Sequence, residues 1–120
     1  MEDERIILAG IWTALMLTFL LGDVLRIFAG DVKFGEIKGV VPSQEVWVFI
    51  AVIMLIPIWM IVLTLIVPHP AVRWLNIIVA VFWIIFNIAG LPYKGAYDNF
   101  LIAMSFVFNA LTIWYAWKWV

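Results

Sequence analysis

The sequence predicts an all-α integral membrane protein, a four-helix up-down bundle forming a single domain. Three observations carry this. First, of the 120 residues 68% are hydrophobic and only 12% are charged, against about 45–50% apolar and about 25% charged in a soluble domain. A soluble globule of this size exposes too large a share of its surface to hide that much apolar side chain. Second, apolar stretches recur at about 20 residues, the length that crosses a bilayer as a helix. Third, proline and glycine mark the joints between them. The composition also excludes a disordered chain, which needs low hydrophobicity. The formal net charge of −1 argues against a nucleic-acid partner, which needs a basic surface.

The first predicted span covers about 6–27 and follows the acidic start Met1-Glu2-Asp3-Glu4-Arg5. It reads as a retained helix and not a cleaved signal. The start is acidic, the apolar run is too long for a signal core, and no small-x-small site follows. A loop over about 28–44 holds three glycines, a proline and four charges, so it faces solvent or the interface. The second span covers about 46–67; Ser43 and Glu45 suit a helix start. Pro57, inside it, lacks a backbone donor and should kink the helix. The run Val67-Pro68-His69-Pro70 ends it. The third span covers about 72–91 and ends in Gly90-Leu91-Pro92-Tyr93-Lys94-Gly95. The fourth covers about 97–117. Four spans use nearly all these residues and leave no room among them for an extramembrane domain.

An even number of spans places both termini on one side of the cell membrane. Arg5, Arg73 and Lys118 fall on that side, and Lys33, Lys38, Lys94 and Arg26 on the other. Arg73 sits in a very short loop, where the positive-inside rule is strongest, so both termini are expected in the cytoplasm. Trp47, Trp74, Trp114, Trp117 and Trp119 lie near span ends and suit the headgroup level. Trp12, Trp59 and Trp83 lie deeper and need packing partners.

The residue types exclude much chemistry. There is no cysteine, so thiolate nucleophiles, iron–sulfur clusters and cysteine zinc sites are out. His69 is the single histidine and lies in a turn, so a bis-histidine haem or His-rich metal site is not expected. No phosphate-binding loop, Gly-x-Ser-x-Gly or His-Glu-x-x-His occurs. No cofactor or metal is expected, and no catalytic set. Asp23, Asp98, Tyr93 and Tyr97 are the only acid–base candidates, a poor set for an enzyme.

Polar groups within spans are the remaining clue, because they are costly in hydrocarbon and turn toward the bundle interior. Asp23 and Arg26 are three apart and share a helix face, so they should pair. Asp98, Ser105, Asn109 and Thr112 fall on one stripe of the fourth span and should bond between helices. Asn76 and Asn87, eleven apart, share a face of the third. Because spans alternate in direction, Asp23, Asn87 and Asp98 all fall in the half away from the termini. With Arg26, Tyr93 and Tyr97 they are expected to build one polar site there. Gly10/Ala14 and Thr18/Gly22 have small-xxx-small spacing, which permits close helix approach within the bundle or across a homo-oligomer. Trp59 and Trp83, both near mid-depth, are expected to fill the core; the alternative is that the Pro57 kink opens a cavity lined by them, where aromatic faces can hold an organic cation.

Three stretches carry a family resemblance: Ile11-Trp12 through Leu21-Gly22-Asp23-Val24, then Ile56-Pro57-Ile58 with Arg73-Trp74-Leu75-Asn76-Ile77-Ile78, then Ile113-Trp114-Tyr115-Ala116-Trp117-Lys118-Trp119. In these the chain resembles small prokaryotic four-span proteins grouped only as a domain of unknown function. The resemblance implies a membrane protein and no activity. It marks Asp23, Pro57, Arg73, Asn76 and the terminal aromatic run as characteristic. More loosely the chain is similar to DoxX-like four-helix proteins and to small multidrug exporters. The exporters carry an acid near the middle of their first helix, whereas Asp23 lies near an end beside Arg26.

The expected function is therefore a non-enzymatic membrane module or accessory subunit in the lipid bilayer, forming a homo-oligomer. The alternative is a dimeric transporter or binder of a small hydrophobic or cationic molecule. Its ligand candidates are Asp23, Arg26, Asn87, Asp98, Asn109, Trp59 and Trp83.

Overall fold

The computed structural model describes residues 3–30, 40–90 and 96–119. Among these the chain forms four helices and no strand: α1 (Asp3–Phe28), α2 (Gln44–Ile66), α3 (Ala71–Gly90) and α4 (Ala96–Lys118). All four are long and apolar enough to cross a membrane. Each ends within a few residues of its predicted boundary. Tyr93, Lys94, Lys33 and Lys38 lie outside the described residues.

The helix ends have local causes. Gly30, at φ 77°, follows the last turn of α1, and its N–H donates to Ile27 O at 3.1 Å. A left-handed residue at a helix C-terminus favours glycine, which has no Cβ to clash. Ser43 occupies the N-cap of α2, as expected, but its side chain makes no capping bond. Val67 closes α2 in an extended conformation, which the following Pro68 demands. Pro57 is buried inside α2, and the helix runs on through it.

Packing follows chain order only in part. α1 lies centrally, with α2 on one flank and α4 on the other, and α3 packs on α4. The sequential pair α2 and α3 barely touch. The reason lies in the sequence of α2. It has no polar stripe to turn inward, and its only buried residues are Pro57, Met60 and Thr64. The main core gathers Trp12, Leu15, Met60, Ala80 and Trp83, and a second cluster at the terminal end holds Leu8, Val72, Ala116 and Trp119. Leu17, Leu20, Phe49, Ile78, Ile85 and Phe100 point outward. In lipid that apolar surface is already in its preferred solvent, and a bilayer around the bundle covers it.

Polar groups tie the core together. Trp12 Nε1 donates to Asn76 Oδ1 at 2.7 Å, and Asn76 Nδ2 donates to Val72 O at 2.9 Å and to Thr64 Oγ1 at 3.3 Å. This links α1, α2 and α3 where the bundle is otherwise apolar. The α4 stripe does face inward, since Asp98, Ser105, Asn109 and Thr112 are all buried. Its hydroxyls, however, do not bridge helices. Ser105 donates to Ile102 O at 2.6 Å and Thr112 to Phe108 O at 3.1 Å. Each hydroxyl satisfies itself on the preceding turn of its own helix, a local bond always within reach.

At the terminal end two arginines close helix C-termini. Arg5 Nη1 donates to Thr64 O and Val67 O of the α2 end, at 3.1 and 2.7 Å. Arg73 donates through Nε to Ala116 O and through Nη2 to Trp117 O of α4, at 3.0 and 2.9 Å. The last carbonyls of a helix lack intrahelical donors and carry its negative dipole end, so a cation is well placed there. Trp119 stacks against both His69, at 5.0 Å between rings, and the Arg5 guanidinium, at 5.2 Å.

Candidate functional site

The end of the bundle away from the termini is built differently. α1 brings Asp23 and Gly22 alongside Arg26 near its C-terminus, because they lie three and four residues before it. α4 runs in from the same end and presents Asp98 in its first turn, where an acid suits the helix dipole. Arg26 reaches across and donates through Nη1 to Asp98 Oδ1 at 2.6 Å. Its Nη2 donates to Asp23 Oδ1. One guanidinium thus holds two carboxylates. They are not equivalent: the Asp98 side chain is 5% exposed and that of Asp23 is 55% exposed. Asp98, unlike Asp23, is the acid that needs its counter-ion, because an unpaired buried charge is very costly.

Beside this triad lies a cavity of about 170 Å³, to which all four helices contribute. Thr18, Phe19, Gly22, Asp23 and Arg26 line it from α1, and Met54 from α2. Trp83, Phe86 and Asn87 line it from α3, and Asp98, Leu101 and Ile102 from α4. Trp83 packs against Phe19 at 5.3 Å and Phe86 at 5.1 Å, so part of the lining is aromatic. A Cβ added at Gly22 would lie 3.6 Å from Leu101 Cδ1 and 3.7 Å from Asp98 Oδ1. Those are ordinary contacts, so the backbone does not require glycine there; its smallness leaves the space open.

Two of the lining residues each carry a buried nitrogen with no partner among the described residues. Trp83 is 1% exposed and its Nε1 donates to nothing; Asn87 is 4% exposed and its Nδ2 donates to nothing. Buried polar groups in folded proteins are nearly always paired, and in hydrocarbon no water is at hand to compensate.

Of the residues expected to share a site, Asp23, Arg26, Asn87, Asp98 and Trp83 do converge on this one cavity. Tyr97 is half-buried at the start of α4 and is not among the lining residues. Asn109 is buried further along the α4 stripe, away from the cavity wall, and neither its Nδ2 nor its Oδ1 has a partner. Trp59 corrects the sequence reading. It is 57% exposed and faces the opening between α2 and α3, where it lines a separate apolar groove with Val52, Leu55 and Leu75. The two tryptophans do not share a cavity, because α2 meets α3 too loosely to bring Trp59 inside. The small-residue pairs also divide. Gly22 is buried against α4, whereas Gly10 faces outward with nothing within 4 Å. Phe19, Phe86 and Leu101 carried no individual signal in the sequence; they are recognisable only once the facing helices are placed. The Arg26–Asp98 bond likewise spans 72 residues, and no local spacing points to it.

Among the described residues no three His, Asp or Glu side chains gather as a metal site. The cavity thus brings together an ion triad of one guanidinium and two carboxylates and the aromatic rings of Phe19, Trp83 and Phe86. No family model, no curated protein and no solved structure matches the chain.

Proposed function

We propose that the protein is a non-enzymatic membrane module that binds a small molecule in the cavity between Arg26 and Trp83. It sits in the cell membrane with both termini cytoplasmic, which puts the cavity in the outer half of the bilayer. The observation that carries this reading is the cavity itself, a space of about 170 Å³ that sets the Arg26–Asp98 ion pair and the ring of Trp83 around one opening in an otherwise well-packed bundle. A core selected only for stability would fill that space with apolar side chains, because an open cavity forfeits packing contacts. The volume is right for a ligand the size of one ring: an engineered cavity of about 150 Å³ holds benzene.

The terminal face of the bundle is closed. At the terminal face Arg5, Arg73, His69 and Trp119 knit the helix ends together, and Leu8, Val72 and Ala116 are packed beneath them.

Thermal unfolding in lipid nanodiscs tests this. Ethylbenzene and benzyltrimethylammonium serve as ring-sized probes, one neutral and one cationic. At ten times its Kd a bound probe stabilises the folded state by about 1.4 kcal/mol. At least one should raise the midpoint of the native chain and leave Gly22→Phe, whose ring fills the cavity, unchanged. If both chains respond alike to both probes, the cavity is not a binding site.

A further inference from the structure

The terminal end of the bundle carries a second feature, on the surface that α3 and α4 turn outward. Arg73 lies in the first turn of α3 and Lys118 in the last turn of α4, so the antiparallel pair sets both cations at one level. Arg73 is held in place. Its Nε and Nη2 donate to Ala116 O and Trp117 O, and its guanidinium lies 4.9 Å from the Trp74 ring and 5.1 Å from the Trp117 ring. Those two rings meet edge to face at 6.2 Å. One turn back along α4, the Trp114 ring lies 4.1 Å from Lys118 Nζ. Trp74, Trp114, Trp117 and Lys118 are all exposed, so with Arg73 they form one outward patch.

The patch has two chemistries, one above the other. The carbonyls and ring faces that hold Arg73 and Lys118 are uncharged, so these contacts position the cations without neutralising them. A guanidinium has five N–H donors; among the described residues two of them are placed on carbonyls. The fork that remains suits a phosphate, and the stacked rings fix its direction before anything binds. The indoles suit the headgroup level of a bilayer. Below them the same helix faces turn apolar. Ile78 and Ile85 follow Trp74 by four and eleven residues on α3, Leu111 and Val107 precede Trp114 by three and seven on α4, and all four are exposed. An acidic protein segment would meet the cations and leave the apolar faces to something else. An amphiphile with an anionic head meets both. A zwitterionic head would bring an ammonium group against the same two cations.

We propose that this surface binds an anionic phospholipid, with its phosphate on Arg73 and Lys118 and its chains along the apolar faces of α3 and α4. The site lies at the opposite end of the bundle from the cavity and does not depend on what the cavity holds.

The test uses the full chain with ¹⁵N-labelled tryptophan in phosphatidylcholine nanodiscs that contain a rising mole fraction of phosphatidylglycerol. The indole resonances are assigned by their loss in single Trp→Phe variants. Those of Trp114 and Trp117 should shift and saturate, while those of the buried Trp12 and Trp83 stay still and report the fold. Lys118→Gln alters an exposed side chain and should raise the half-saturating mole fraction about fivefold, the worth of one basic side chain at an anionic surface. Arg73→Gln should raise it at least as much. Arg5→Gln removes a cation from the same end but from the side of α2, and should leave it within about twofold. If Arg5→Gln and Lys118→Gln weaken binding equally, a diffuse field attracts the lipid and the site fails. If glycerol 3-phosphate, a head without chains, produces the same shifts, the patch takes free phosphate and the phospholipid assignment fails. If no resonance saturates with phosphatidylglycerol, the proposal is wrong altogether.

Discussion

Three side chains at one end of the bundle do most to set its character. Arg26 serves two acids, but the acids do different work. Asp98 is buried with Arg26 as its counter-ion; Asp23 is exposed and adds to a pair already made. Replacing Arg26 by Met should therefore destabilise the protein by about 2–3 kcal/mol, chiefly by stranding Asp98 in a low-dielectric site. Asp23→Asn should cost much less. Denaturant titration of the two variants in the same lipid gives the order, and a larger loss for Asp23→Asn would contradict the assignment. At this scale the sequence was legible in pairs and not in triads. Asp23 and Arg26 are readable together because a helix puts residues three apart on one face. Asp98 joins them from another helix, and Trp59 turns outward although its depth and type resemble those of Trp83. Only the placement of α2 distinguishes these two tryptophans.

At the scale of elements, the terminal arginines change their meaning. Arg5 and Arg73 read in the sequence as markers of membrane orientation. In the structure they also cap the C-termini of α2 and α4, adding donors to carbonyls that the local backbone satisfies only in part. Arg73→Met should expose the Ala116 and Trp117 carbonyls and release the stacking on Trp74 and Trp117. The expected loss is about 1 kcal/mol. Hydrogen exchange should show it as faster exchange confined to the last turns of α4, with α1 unaffected; uniform acceleration across the chain would mean a wider role. The span limits themselves were readable because length, proline and glycine act locally. The partners of the α4 hydroxyls were not, because a serine or threonine in a helix can bond across to a neighbour or back to its own preceding turn.

The whole molecule is asymmetric from end to end. The terminal half is closed by arginine caps, stacked aromatics and the Trp12–Asn76 bond. The other half keeps a cavity beside an ion triad. Composition announced the membrane, and span counting announced four helices, but neither contains the order in which the helices pack. That order, with α1 between α2 and α4, is what gathers Gly22, Asn87 and Asp98 around one space. The account stands or falls on whether that space is occupied in the native membrane. Native mass spectrometry of the protein released directly from its own lipid is the most direct measurement. The account predicts one small-molecule adduct per chain on the native protein, lost in Gly22→Phe. An empty native chain, or an adduct that survives unchanged in Gly22→Phe, would contradict it.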